Sequence, residues 1–242
     1  MAKPAQPAVE DALREIAKGL APGTKLPPER ELAESLAVSR MTLRTAVESL
    51  QFDGLLVRRP GRAGGTYVAG PAPIVELASV RGIVAQLRGR HEVRSDVLEF
   101  GRMAAADAPT KVAAALRLTE TDEVYRLFRR RHADEYAVML EDSWLPAAVM
   151  PGLEEHDITG SVYTLLRDVY DSEPTGKREL LHPGVPSAEE ARHMGLGARH
   201  PILRIARTAF RADGTPVEYS EDLYRSDLLQ IQVSSGEING AD

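Results

Sequence analysis

Two sets of basic residues carry the chemistry open to this chain. The first lies behind Ser39, a residue type that caps helix N-termini by accepting a backbone N–H. A helix opening there and running to about Asp53 places Arg40, Thr42 and Arg44 in its first turn and a half, on the side away from Leu43 and Val47. Arginine is the commonest bidentate partner of guanine in the DNA major groove. The first residues of a recognition helix are the ones that reach base edges. The second set is Arg129 and Arg131, two apart on a predicted strand and so on one face of it. Two guanidiniums on one face repel unless acids pair with them or an anion completes them. Arg130 points the other way, and Glu141 on the next predicted strand is within reach as a partner. The pattern fits a structural Arg–Glu bridge or a solvated sheet face, and equally a pocket for an anionic or phosphorylated metabolite.

The elements around the first set are legible. Pro27 and Pro28 suit a helix entry, where a missing N–H costs nothing, and Glu29 and Glu31 put negative charge near that helix's positive end. Leu32, Leu36, Leu43, Val47 and Leu50 fall at helical spacing and predict one small core. Ala37 and Val38 make the turn between the two helices. Leu55-Leu56-Val57 and Thr66-Tyr67-Val68 then read as short strands flanking Arg58-Arg59-Pro60-Gly61-Arg62-Ala63-Gly64-Gly65. Three arginines and four glycine or alanine spacers suit a hairpin tip lying against phosphates or in the minor groove. Helix, tight turn, helix and basic glycine-rich hairpin are the layout of a winged helix-turn-helix DNA reader.

This segment resembles the N-terminal domain of the GntR family of bacterial transcription regulators. The residues that carry the resemblance are Gly19, Pro22-Gly23, Leu26-Pro27, Glu29-Arg30, Leu32-Ala33, Val38-Ser39-Arg40, Thr42, Arg44, Ala46 and Gly64-Gly65-Thr66-Tyr67-Val68. The resemblance implies DNA contacts from Arg30, Ser39, Arg40, Thr42 and Arg44 on the helices and from Arg62, Gly64 and Gly65 on the wing. That wing is about two residues longer than the compact family form.

The net charge of −6 argues against nucleic acid until the chain is divided. Residues 1–70 hold 10 Lys/Arg against 8 Asp/Glu, and residues 71–242 hold 20 against 28. Five arginines and two acids lie between residues 37 and 70. A locally basic reader of this kind binds with modest, salt-dependent affinity, which predicts a homodimer on a palindromic double-stranded operator. There is no cysteine, so disulfides and cysteine-based zinc or redox sites are excluded. No apolar run is long enough for a transmembrane helix. The N-terminal residues lack the apolar core of a signal peptide, so a cytoplasmic protein is expected.

Gly70-Pro71-Ala72-Pro73 marks a domain boundary. The expected division is a DNA-binding domain over 1–70, a connecting segment over 71–92 containing a short helix, and a second domain over 93–242. In the second domain, strands are predicted over Val93–Met103, Glu123–His132, Tyr136–Trp144, Glu179–His182, Ile202–Arg211 and Val217–Leu223. Helices are predicted over Pro109–Leu118, over Ser161–Tyr170 with Thr159 or Ser161 as cap, and from Ser187 to Gly195 or Gly197. Strands joined mostly by hairpins, with separate helices, predict an α+β domain on an antiparallel sheet.

The second half is similar to the UTRA ligand-sensing domain of the HutC subfamily of GntR regulators, which shares the chorismate lyase fold. The carriers are Val124 to Asp134, Leu140 to Pro146, Ser161 to Leu166, Asp213 to Ser220 and Tyr224 to Asp227. The resemblance implies an effector site made by Arg129, Arg131, Glu141, Ser161, Tyr163, Glu218 and Tyr224, holding a phosphorylated sugar or a carboxylate. Where such regulators carry a phosphate-binding Ser/Thr, this chain has Ser79-Val80-Arg81-Gly82. Arg81 either replaces that contact or points to solvent. The six histidines show no metal-binding spacing, and no cofactor is expected. Trp144 reads as core or dimer packing. The expected function is a bacterial repressor whose operator binding answers to a small anionic metabolite. Two alternatives remain: a chorismate lyase-like enzyme domain fused to a DNA head, and an effector-independent DNA-binding protein.

Overall fold

The computed structural model describes residues 6–59, 64–70, 72–77, 79, 81–88 and 90–234. The chain divides into two compact units, Met1–Pro73 with Ser226–Leu228, and Ile74–Arg225 with Leu229–Asp242.

The first unit holds α1 (Gln6–Lys18), α2 (Glu29–Ser35), α3 (Arg40–Phe52), β1 (Leu56–Arg59) and β2 (Gly65–Val68). α1 is an element the motif reading did not include. Its Val9, Leu13 and Ala17 recur every four residues and pack into one core with Leu32, Leu43, Ala46, Val47 and Leu50. Ala37 between α2 and α3 adopts φ +53°, the left-handed bend that makes the turn tight. Ser39 caps α3, its Oγ accepting from the Thr42 N–H at 3.0 Å. β1 and β2 pair antiparallel with Arg59 opposite Gly65. The segment before α2 extends this hairpin, through Val68 N–H to Thr24 O (2.9 Å) and Leu26 N–H to Thr66 O (2.8 Å).

The second unit opens with β3 (Ile74–Glu76) and α4 (Ile83–Leu87), where the sequence suggested a short helix alone. β4 (Val93–Ala104), α5 (Thr110–Leu116), β5 (Glu123–Ala133), β6 (Tyr136–Pro146), α6 (Val162–Asp168), β7 (Gly176–Gly184), α7 (Ala188–Met194), β8 (Ile202–Phe210), β9 (Pro216–Tyr224) and β10 (Gln230–Gln232) follow. Six strands form one antiparallel sheet in the order β4-β5-β6-β9-β8-β7. β10 pairs in parallel with β3, Ile231 facing Val75. The domain is therefore α+β on an antiparallel sheet.

The helix ends follow the local chemistry. Ser187 and Glu190 form a reciprocal capping box at the start of α7, and Gly195 ends that helix at φ +64°. Ser161 caps α6. Tyr125, Leu127 and Leu145 pack against Val162 and Leu166 of α6 on one side of the sheet. On another flank, Trp144 packs with Val112 and Leu116 of α5, which makes it a core residue.

Candidate functional site

Within the first unit, the residues expected to meet DNA are gathered on α2, α3 and the hairpin. Arg40 and Arg44 are exposed on α3, and Thr42 is half-buried, its hydroxyl 2.8 Å from Ser39 Oγ. Arg44 is held. Its Nε donates to Glu29 at 3.1 Å, and the same carboxylate accepts from Arg58 of β1 at 3.2 Å. Glu29 thus ties the recognition-helix arginine to the base of the hairpin. Arg30 stands out on α2, 3.8 Å from Glu34. Arg59 lies over the Tyr67 ring at 4.1 Å, a cation–π stack that stiffens the hairpin's root. Gly65 has φ +152°, and a Cβ there would sit 2.6 Å from Lys25 Cε, so the bend into β2 favours glycine. Gly64 precedes it, half-buried. Arg62 lies outside the described residues.

In the second unit, period-two alternation carries a band of buried polar side chains across one face of the sheet. Arg129, Glu141 and Asp222 stand in register on β5, β6 and β9. Beside them, Ser143, Ser220 and Arg207 stand in register on β6, β9 and β8. All six are buried. Buried charge survives only with partners, and here the partners are specific. Glu141 Oε2 accepts from Arg129 Nε at 3.0 Å and from Arg131 Nε at 2.8 Å. The outer ends of both guanidiniums grip the loop before α6. Arg129 Nη1 donates to the Ile158 and Gly160 carbonyls, at 2.5 and 3.0 Å. Arg131 Nη1 donates to Ser95 Oγ at 2.7 Å and to Gly160 O at 3.1 Å. That loop carries Ser161 and leads directly to Tyr163. Arg130, on the opposite face, pairs with Asp96 at 2.7 Å.

Across the band, Glu218 accepts from Ser143 Oγ (3.0 Å), Tyr163 OH (2.8 Å) and Arg207 Nε (3.3 Å). Arg207 also faces Asp222 at 3.2 Å. Electrostatics differ sharply among these acids. Burial alone would raise Glu141, but Arg129, Arg131 and Arg207 hold its pKa down at about 2. Burial pushes Asp222 up to about 8, with Glu141 and Glu218 adding to the rise and Arg207 opposing it. Burial lowers Arg129 to about 10 against the pull of Glu141.

A cleft of about 310 Å³ opens against this band, lined by Gly82, Ile83, Arg131, Glu141, Ser161, Val162, Tyr163, Arg207 and Glu218. Five of the seven residues expected for an effector site lie in its wall: Arg131, Glu141, Ser161, Tyr163 and Glu218. Arg129 does not line it. Its side chain is fully buried, clamping Glu141 and the α6 loop. Tyr224 lines a neighbouring cleft instead. Arg207, absent from the sequence expectation, lines both. Its signal was its place in the strand. It sits between Ile205 and Ala209, both buried, so a charge occupies the inward phase of β8. Arg81 is exposed and donates to the Ala85 carbonyl at 3.3 Å.

Two family models account for most of the chain. "Bacterial regulatory proteins, gntR family" matches residues 6–68, and "UTRA domain" matches residues 88–230. The chain belongs to the GntR family and carries a UTRA domain. It is a DNA-binding transcriptional regulator of this family, and its curated relatives include repressors. The HTH-type transcriptional repressor NagR of Bacillus subtilis is 30% identical over 210 residues, covering 86% of this chain and 84% of that protein. The mannosyl-D-glycerate transport/metabolism system repressor MngR of Escherichia coli is 29% identical over 228 residues, covering 93% of each. Among solved structures, PhnF from Mycobacterium smegmatis aligns with a TM-score of 0.66 at 27% identity, covering 94% of this chain and 99% of PhnF. Among the described residues, no helix is long and apolar enough to cross a membrane.

Proposed function

We propose that this GntR regulator is a homodimeric repressor that leaves a palindromic operator when a small anionic metabolite, a phosphorylated sugar or a sugar acid, binds beside Arg131. The observation that carries this reading is an imbalance of charge. Arg129 and Arg131 share a single carboxylate oxygen, Glu141 Oε2. With Arg207 matched by Glu218, the Arg129–Arg131–Glu141 group leaves one positive charge over in the buried band behind the cleft, which favours an anion. Ser161 and Tyr163 stand in the same wall and supply hydroxyls for orientation. One relative's name is compatible with this class, since MngR is named for a mannosyl-D-glycerate transport/metabolism system and mannosyl-D-glycerate is a sugar acid.

The site holds its ligand without transforming it. Glu141 is occupied by two guanidiniums, and Glu218 by Ser143, Tyr163 and Arg207, so neither acid is placed as a free general base. Ligand shifts the DNA-binding equilibrium only by its differential affinity for the operator-competent and released states. On the DNA side, Arg40 and Arg44 read bases and the hairpin meets the backbone, Arg44 exchanging Glu29 for its base.

Fluorescence anisotropy on labelled operator tests both halves. Arg40→Ala and Arg44→Ala should each weaken specific binding by about 1–3 kcal/mol, while Arg131→Met should keep operator affinity and lose anion-driven release. Full anion response in Arg131→Met places the sensor elsewhere, and conversion of the bound metabolite to product would support the enzyme reading.

A further inference from the structure

The helix that carries Arg40 and Arg44 presents an apolar strip on its outward side. Leu43, Ala46, Val47 and Leu50 turn inward to the core of the first unit. At 3.6 residues per turn, Met41, Thr45 and Glu48 fall on the opposite side, and all three are exposed. Met41 is 68% exposed, more than any other large apolar side chain among the described residues of this unit. A single exposed methionine is ordinary on a protein surface. Its neighbour one turn on gives this one meaning. The Thr45 hydroxyl donates to the Met41 carbonyl at 3.1 Å. That bond spends the polar end of the side chain on the helix itself, so Thr45 offers its methyl group to whatever approaches. Residues four apart are neighbours on a helix surface. Met41 and Thr45 therefore make one apolar strip near the start of α3, with Arg40 and Arg44 along one shoulder of it. Glu48 closes the strip one turn later with a negative charge.

We infer that Met41, with the Thr45 methyl beside it, is a specificity-determining residue of the DNA reader and packs on the C5-methyl group of a thymine next to the bases that Arg40 and Arg44 read. Among the four bases, thymine is the one with an apolar group on its major-groove edge. A methionine suits that group. Its chain is unbranched and polarizable, and it settles against a methyl without the angular demand of a hydrogen bond. The same strip rejects other bases. Cytosine presents an N4 donor and guanine two acceptors at that edge. Pressed against Met41 and Thr45, these polar groups lose water and gain no partner, which costs free energy. Glu48 limits how far the strip extends, because a carboxylate repels the phosphates that flank the groove. The outward side of α3 thus divides the reading. The arginines have the forked donors that G·C pairs demand, and the strip has the apolar surface that an A·T pair demands when its thymine faces the helix.

This inference rests on the proposal above that α3 reads the bases, and the test separates the two. The full chain first selects its operator from random duplexes. Each thymine of a half-site, with its counterpart in the other half-site, is then replaced by deoxyuridine, which removes the C5-methyl group and nothing else. Fluorescence anisotropy should find a thymine at which the replacement weakens binding about fourfold per half-site, and about fifteenfold for the pair, the effect of one methyl group left unburied. Met41→Ala should bind the natural operator more weakly by a similar factor and be indifferent to deoxyuridine at that position. The exposed site and the high helix propensity of alanine keep this variant folded. A purely structural role for Met41 would move thermal unfolding and leave the deoxyuridine penalty intact. The inference is overturned if no deoxyuridine replacement weakens binding, or if Met41→Ala retains the full penalty. Failure of the recognition-helix reading looks different, because Arg40→Ala and Arg44→Ala would then leave operator affinity unchanged.

Discussion

Removing the charge of Glu141 is the most informative perturbation of the sensor. Its Oε2 is the shared acceptor for Arg129 Nε at 3.0 Å and Arg131 Nε at 2.8 Å, in a side chain 7% exposed. Glu141→Gln preserves shape and leaves two buried guanidiniums without their counter-ion. Breaking a buried pair in this way costs about 3–5 kcal/mol. The carboxyl's own ionisation points the same way, since burial would raise its pKa but Arg129, Arg131 and Arg207 hold it below the ordinary value. The sign follows from the direction of the shift. A carboxyl held low stabilises the folded chain fully above its unfolded pKa, near pH 4.5, and that contribution drains away as pH falls towards 2. The chain has one tryptophan, Trp144, packed against α5 within the same unit, so its fluorescence in urea reports the sensor's unfolding. Glu141→Gln should lower the unfolding free energy by about 3 kcal/mol at pH 7, with the gap to the unaltered chain narrowing below about pH 4.5. Added inorganic phosphate should recover more stability in the variant than in the unaltered chain. A loss below about 1 kcal/mol at pH 7, the size of an ordinary exposed ion pair, would refute the reasoning.

Asp222→Asn should behave in the opposite sense. Folded Asp222 keeps its proton to about pH 8 while the unfolded residue loses it near 4, so its contribution to stability declines between those values, and the asparagine variant should gain on the unaltered chain as pH rises from 4 to 8 in the same urea assay. Ser39→Ala removes the hydroxyl that caps α3 and should cost about 1 kcal/mol in thermal unfolding, with weaker operator binding because the helix start that carries Arg40 and Arg44 frays. Gly195→Ala places a Cβ at φ +64° on the cap of α7 and should cost about 1 kcal/mol, with phosphate affinity unchanged because α7 does not line the cleft.

The DNA-reading unit was legible because its signals are local. Ser39 followed by the Arg40–Arg44 cluster, and glycines next to basic residues, each act within a few positions of chain. α1 escaped because it opens without a side-chain cap signal and carries Pro7 in its first turn, although Val9, Leu13 and Ala17 hold the helical period. The β3–β10 pair escaped for a different reason. Both strands have three residues, and they pair in parallel from opposite ends of the second unit. No hairpin turn announces such a pairing, and three residues cannot establish a period of two. The long strands were found because each has a turn or a run of alternation of its own.

The arginine pair shows where sequence reasoning had to stop. A structural bridge and an anion pocket were alternatives for Arg129 and Arg131 together, because strand periodicity puts both on one face and says nothing of depth. The fold separates them. Arg129 lies beneath Glu141 with its Nη1 on the Ile158 and Gly160 carbonyls, and it acts as a clamp on the loop that positions Ser161 and Tyr163. Arg131, two residues on, stands in the wall of the cleft. The bridge therefore does not compete with the pocket. Two cations share one carboxylate oxygen, and in the function proposed above it is Arg131, the one in the cleft wall, that an anion completes. Glu141 must stay ionised for that division to hold, and the three surrounding guanidiniums keep its pKa at about 2.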